Sequence, residues 1–156
     1  MKITEFLCKG AVTNDLEADS KEDVINELVG LLVEAGALEK RQKNKVVDVL
    51  MAREALGSTA IGQGIAIPHG KSEATDTLVA ALGVSKKGVN FDSLDGEPAY
   101  IFFLLVAPID SAGPHLKALA RVSRLLKDKF FRDSLKSAKS SKDILDWIAQ
   151  EDSRIS

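Results

Sequence analysis

The sequence predicts an α/β protein, a three-layer α/β/α sandwich with a mixed β-sheet flanked by helices. Three observations lead there. Helical patterns lie towards both ends of the chain, with short apolar runs between them. The run Ala99–Ala107 is apolar on both faces, as a central strand covered from both sides must be. Each helical pattern has one apolar face, and packing those faces onto both sides of a sheet buries them all.

The elements follow in order. Residues 10–18 are expected to form a first strand. Ser20 then opens a Ser-x-x-Asp capping box with Asp23, and Val24, Ile25, Leu28, Leu31 and Leu32 recur at helical spacing until Gly36 ends the pattern. A second helix is expected from Gln42 to Leu56, with Val46, Val47, Val49 and Leu50 on its apolar side and Gly57 as its stop. Ile65–Ile67, Leu78–Val84 and Ala99–Ala107 read as strands, and Lys86-Lys87-Gly88 and Asp95-Gly96 as turns. From Ala118 to Phe131 one helix is expected, with Leu119, Val122, Leu125, Leu126 and Phe130 inward and Lys117, Arg121, Arg124, Lys127 and Asp128 on or near the other face. A last helix should run from Asp143 to Gln150, capped by Ser140 or Ser141, with Trp147 and the Phe130-Phe131 pair as core anchors.

A chain of 156 residues without repeats or low-complexity linkers is expected to form one domain, 1–156. A chain of that size buries roughly 68–70% of the surface it exposes when unfolded. The 21 basic and 23 acidic residues nearly cancel, so no global field favours nucleic acid or a membrane surface. No apolar run is long enough to span a bilayer and the N-terminus has no secretory pattern, which makes a cytoplasmic location the expectation. Cys8 stands alone, so neither a disulfide nor a cysteine-based metal cluster is expected, and a passive role suits it.

Candidate chemistry centres on Gly64-Ile65-Ala66-Ile67-Pro68-His69-Gly70, where an imidazole sits on backbone constrained by proline and glycine. His69 there is either a reactive group or a solvated histidine at a turn. The second histidine, His115, follows Pro114 where the long amphipathic helix should start, and Pro114 suits a first helical position. Backbone N–H groups and the helix dipole favour an anion there, a phosphoryl group in particular, although a capping role is equally ordinary. Arg53, in the last turn of the second helix, offers a permanent cation with a planar fork for phosphate oxygens, or a partner for the helix C-terminus. Ser58 and Thr59 supply hydroxyls that could line a site or cap a turn. Two histidines without His-x-x-x-His or Cys-x-x-Cys spacing do not make a zinc site, and no metal is expected. Gly-x-Ser-x-Gly is absent, and Gly62-Gln63-Gly64 lacks the ending of a nucleotide-binding loop, so no cofactor is expected either.

Glu54, six residues, Ile61-Gly62, two residues, then Ile65-Ala66-Ile67-Pro68-His69-Gly70 resembles the phosphorylation-site signature of the mannitol/fructose-type enzyme IIA domains of the bacterial phosphotransferase system. With Arg53, Gly57-Ser58-Thr59 and His115, the resemblance covers almost the whole chain, and Gly57 to Gly64 is most similar to the nitrogen-regulatory branch. The resemblance implies an α/β sandwich and a phosphocarrier in which Nε2 of His69 accepts the phosphoryl group, His115 hydrogen-bonds it, Arg53 counters its charge, and Ser58 and Thr59 line the pocket. One departure is Ser111-Ala112-Gly113-Pro114, where a proline precedes His115 in place of a more usual polar residue. The implied donor is phosphorylated HPr or its nitrogen-branch counterpart NPr. The implied downstream partners are a IIB domain in a mannitol or fructose uptake route, or regulatory targets such as a potassium transporter or sensor kinase. A pure interaction domain that is no longer phosphorylated is the third expectation.

Overall fold

The computed structural model describes residues 1–155. The chain runs β1 (Leu7–Thr13), α1 (Lys21–Glu34), α2 (Lys43–Ala55), β2 (Ala60–Gly62), β3 (Ile65–Ala66), β4 (His69–Lys71), β5 (Val79–Val89), β6 (Ala99–Ala107), α3 (Ala112–Leu125), α4 (Lys129–Lys136) and α5 (Ser141–Arg154), with short 3-10 turns at Ile3–Glu5 and Lys40–Gln42. The strands form a mixed sheet in the order β1-β5-β6-β3-β2, with β4 also on β6. β1 runs parallel to β5, β5 antiparallel to β6, and both β3 and β4 parallel to β6.

The three layers follow from the period-two alternation of the central strand. Ile101, Phe103 and Leu105 of β6 face one core, shared with Ala118, Val122 and Leu125 of α3, Phe131 and Leu135 of α4, and Ile144 and Ile148 of α5. Phe102, Leu104 and Val106 face the other, shared with Val24, Ile25, Leu28 and Leu32 of α1 and Val46, Val47 and Leu50 of α2. A strand apolar on both faces is thus buried on both, and the predicted three-layer class holds.

Local signals place the helix ends well. The Ser20 hydroxyl accepts from the Asp23 N–H at 3.2 Å, and Ser140 does the same for Asp143 at 3.1 Å. Gly36 takes φ +80° just beyond α1, a conformation that costs a glycine little.

Five expectations are corrected. The first strand is Leu7–Thr13 rather than 10–18, because pairing with β5 in the register Leu7↔Ala80 and Thr13↔Gly83 selects it. It closes where the Thr13 hydroxyl takes the Asp15 N–H at 3.1 Å. Lys86-Lys87-Gly88 is not a turn but an irregularity inside β5, where the register against β6 shifts between Val84 and Val89 and Gly88 has φ +85°. The helix expected over 118–131 is two helices, α3 starting at Ala112 and α4 at Lys129. The Asp128 carboxylate caps α4 by accepting from Phe130 N at 2.9 Å and Phe131 N at 3.4 Å. That new start shifts the helical phase, so Phe131 enters the core while Phe130 is 84% exposed instead of anchoring it. Pro114 lies at the third position of α3 rather than the first, because the helix starts earlier.

Among the described residues, no helix is long and apolar enough to cross a membrane.

Candidate functional site

The site forms at the end of β6. His69, Gly70 and Lys71 of β4 pair with Leu105, Val106 and Ala107, the last residues of β6, and α3 starts five residues after Ala107. That register sets His69 opposite Leu105 near the carboxyl end of β6, the end from which the chain leads to α3. Crevices outside strand carboxyl ends are where open α/β sheets bind ligands. Packing under β4 is close at Gly70, where a Cβ would lie 3.0 Å from Val49 Cγ1 on α2.

His69 is held from its backbone. The chain bends at Ile67-Pro68, the Pro68 carbonyl accepts from Leu105 N at 2.9 Å, and the Ile67 N–H donates to the Thr59 carbonyl at 3.2 Å. The Ile67 carbonyl then stands 2.8 Å from His69 Nδ1. A carbonyl can only accept, so Nδ1 carries a proton and, in the neutral ring, Nε2 keeps its lone pair.

His115 faces it from the first turn of α3. The two rings have centroids 5.5 Å apart with planes at 75°. His115 is 7% exposed, and its Nε2 is buried without a hydrogen-bond partner. Burial, then the neighbouring His69, then Lys71 push the His115 imidazole below its ordinary value, which favours a neutral ring. Ser111, which precedes α3, makes no side-chain cap; its hydroxyl turns to the Pro108 carbonyl at 2.8 Å. The helix start therefore has no side-chain acceptor of its own.

Arg53 donates from Nη1 to the Gly57 carbonyl at 2.8 Å, closing the end of α2 beside the loop that leads to Thr59. Ser58 and Thr59 have their hydroxyls turned to protein acceptors, Ser58 to the Phe91 carbonyl and Thr59 to the Glu54 carboxylate. Lys71 was missed by the sequence reading. Its position two residues after His69 would have pointed to it, because alternate residues of a strand share a side. Among the described residues, no cluster of three or more His, Cys, Asp or Glu side chains could hold a metal ion. Cys8, half-buried on β1, has its thiol pushed up by burial.

A proton-bearing Nδ1, a free Nε2 and a neighbouring buried imidazole whose Nε2 lacks a partner define a histidine site suited to a transferable anionic group. Residues 5–151 match the family described as phosphoenolpyruvate-dependent sugar phosphotransferase system, EIIA 2. The chain belongs to this family, whose members are phosphoryl-carrier components of a phosphotransferase system. It is 43% identical over 152 residues to the PTS system fructose-specific EIIABC component of Bacillus subtilis, covering 97% of this chain but only 24% of that protein. The chain thus spans about a quarter of that relative's length. It is 35% identical over 149 residues to a nitrogen regulatory protein of Bradyrhizobium diazoefficiens, covering 96% of this chain and 95% of that one. The crystal structure of nitrogen regulatory protein IIA-Ntr from Neisseria meningitidis superposes with a TM-score of 0.84 at 32% identity, over 94% of this chain and 98% of that chain.

Proposed function

We propose that this chain accepts a phosphoryl group on Nε2 of His69 from phosphorylated HPr or its nitrogen-branch counterpart NPr. The observation that carries this reading is the imidazole pair, His69 with Nδ1 on the Ile67 carbonyl and His115 opposite with a partnerless Nε2.

The Nε2 lone pair attacks the phosphorus of a donor phosphohistidine in line. One N–P bond forms while the donor's N–P bond breaks, and the leaving imidazole keeps the electron pair. The His69 ring gains positive character in this step. The Ile67 carbonyl on Nδ1–H stabilises it without moving. His115, neutral and with a proton on Nε2, donates to a phosphoryl oxygen. The Arg53 guanidinium and the Lys71 ammonium supply positive charge around an oxyanion group that carries none of its own. Ser58 and Thr59, expected to line the pocket, support its wall through Phe91 and Glu54.

Downstream, the phosphorylation state selects regulatory targets of the potassium-transporter or sensor-kinase class, a reading supported by the match to nitrogen regulatory proteins along nearly their full length. A second reading, relay to a IIB domain in sugar uptake, is favoured by the 43% identity to the fructose-specific component. Incubation with phosphorylated HPr or NPr, read by intact mass, should add one phosphoryl group to the unsubstituted protein and none to His69→Ala. Equal labelling of both sinks the assignment. Passing the labelled protein to purified IIB domains separates the two downstream roles.

A further inference from the structure

Behind His69 lies a buried carboxylate that the transfer chemistry itself does not use. Glu54, in the last turn of α2, is 6% exposed. Its Oε1 accepts from the Thr59 N–H at 3.1 Å, its Oε2 accepts from the Thr59 hydroxyl, and Lys21 Nζ of α1 lies 3.4 Å from Oε1. Lys21 also reaches Asp92 Oδ2 at 3.1 Å and stands 5.0 Å above the Phe91 ring. A charge buried this deeply costs free energy that a well-packed apolar side chain of similar size would not. Both hydrogen bonds that it accepts come from one residue, Thr59.

We infer that Glu54 is a positioning residue for His69, acting through a strut of Lys21, Glu54, Thr59 and Ile67 that fixes which imidazole nitrogen is free to react. This inference rests on the reading of His69 as the phosphoryl acceptor. The strut is continuous. The Glu54 carboxylate holds the Thr59 backbone, the Thr59 carbonyl holds the Ile67 N–H at 3.2 Å, and the Ile67 carbonyl holds His69 Nδ1 at 2.8 Å. The neighbouring residues are tied down independently. Ser58 bonds to the Phe91 carbonyl, Ala60 N donates to Ser58 Oγ at 3.0 Å, and Leu94 N donates to the Ala60 carbonyl at 3.1 Å. Within this loop Thr59 is the residue whose backbone N–H and hydroxyl are both held by the Glu54 carboxylate. A displaced Ile67 carbonyl no longer selects the Nδ1–H tautomer, and the alternative tautomer puts the proton on the nitrogen that must attack.

The test uses Glu54→Gln, which removes the charge but keeps an acceptor, and Thr59→Val, which removes the hydroxyl, with Thr59→Ser as the rescuing variant. Nitrogen-15 NMR of labelled histidine reads the His69 tautomer, and phosphoryl uptake from the phosphorylated carrier is measured at varied carrier concentration. The expected result is a His69 signal moved from the Nδ1–H pattern towards a tautomer mixture in the first two variants. Maximal uptake should fall about tenfold while half-saturation changes little, as for a misplaced reacting group. Thr59→Ser should restore both readouts relative to Thr59→Val. Variants that keep the wild-type tautomer pattern, or that change it without slowing uptake, overturn the inference. Failure of the unsubstituted protein to take up phosphate would instead defeat the acceptor reading, and the NMR comparison would still judge the strut.

Discussion

His115 and His69 pack edge to face, 5.5 Å between centroids and 75° between planes, while His115 Nε2 has no partner among the described residues. A buried polar atom left unsatisfied in a native fold is usually waiting for something. Here it belongs to the imidazole that packs against the ring of His69.

The first prediction concerns pH. His115 has its folded-state pKa lowered below 6.5 by burial, by His69 and by Lys71. Between that lowered value and 6.5 the unfolded chain holds a proton that the folded chain lacks, so stability rises with pH through this window and is lost as pH falls through it. His115→Gln should flatten the acid side of a denaturation-versus-pH curve, as followed by urea unfolding at several pH values. The NMR titration of His115 should move upward on phosphorylation, because a phosphoryl group of about −1.5 to −2 charge favours the imidazolium. It should also move upward in Lys71→Met, which removes a like charge. A His115 titration indifferent to both changes would contradict its place in the site.

Arg53 has two possible duties, which a conservative variant separates. Arg53→Lys keeps a cation at the end of α2 but loses the planar fork that bonds the Gly57 carbonyl at 2.8 Å. The expected outcome is a melting temperature close to wild type with phosphoryl uptake slowed on the order of tenfold to a hundredfold. Wild-type uptake would reduce Arg53 to a helix-end cation.

Asp152 of α5 is 1% exposed and joins three parts of the chain. It accepts from Arg121 Nε of α3 at 2.9 Å and from the Thr4 backbone N–H at 3.1 Å. Asp152→Ala leaves the Arg121 guanidinium only the Ile155 and Asp152 backbone carbonyls as acceptors and should destabilise the fold by about 1–3 kcal/mol in urea titration. A change below about 1 kcal/mol would mean that water replaces the carboxylate at no cost.

Phe130 and Phe131 are adjacent in sequence and opposite in environment. Phe131→Ala should cost about 3–5 kcal/mol, the usual range for emptying a buried aromatic position. Phe130→Ser should stay within about 0.5 kcal/mol, because Phe130 is 84% exposed. Similar losses at both positions would mean that α3 and α4 form the single phase first expected.

Much of this molecule was legible from local pattern. The caps at Ser20 and Ser140, the stop at Gly36, the doubly apolar β6 and the constrained loop carrying His69 involve residues a few positions apart, and steric and hydrogen-bonding preferences act at that range. Phase changes were less legible. The apolar periodicity of 118–131 continues through Asp128, and only its cap on Phe130 N and Phe131 N shows that a second helix begins there.

Residue type along the chain picked out the candidate side chains, because two imidazoles, a guanidinium and a loop stiffened by proline and glycine are visible without any fold. Their arrangement is a tertiary matter. His69 and His115 meet because β4 pairs in parallel with the last residues of β6 and α3 follows that strand after a short loop. Arg121, expected on or near the polar face of its helix, turns to Asp152 because the C-terminal helix brings a carboxylate within 2.9 Å. The Thr59 hydroxyl donates to Glu54, and Lys21 of a different helix pairs with the same carboxylate. Register and buried charge pairing join residues far apart in the chain, and no local preference along the sequence specifies them.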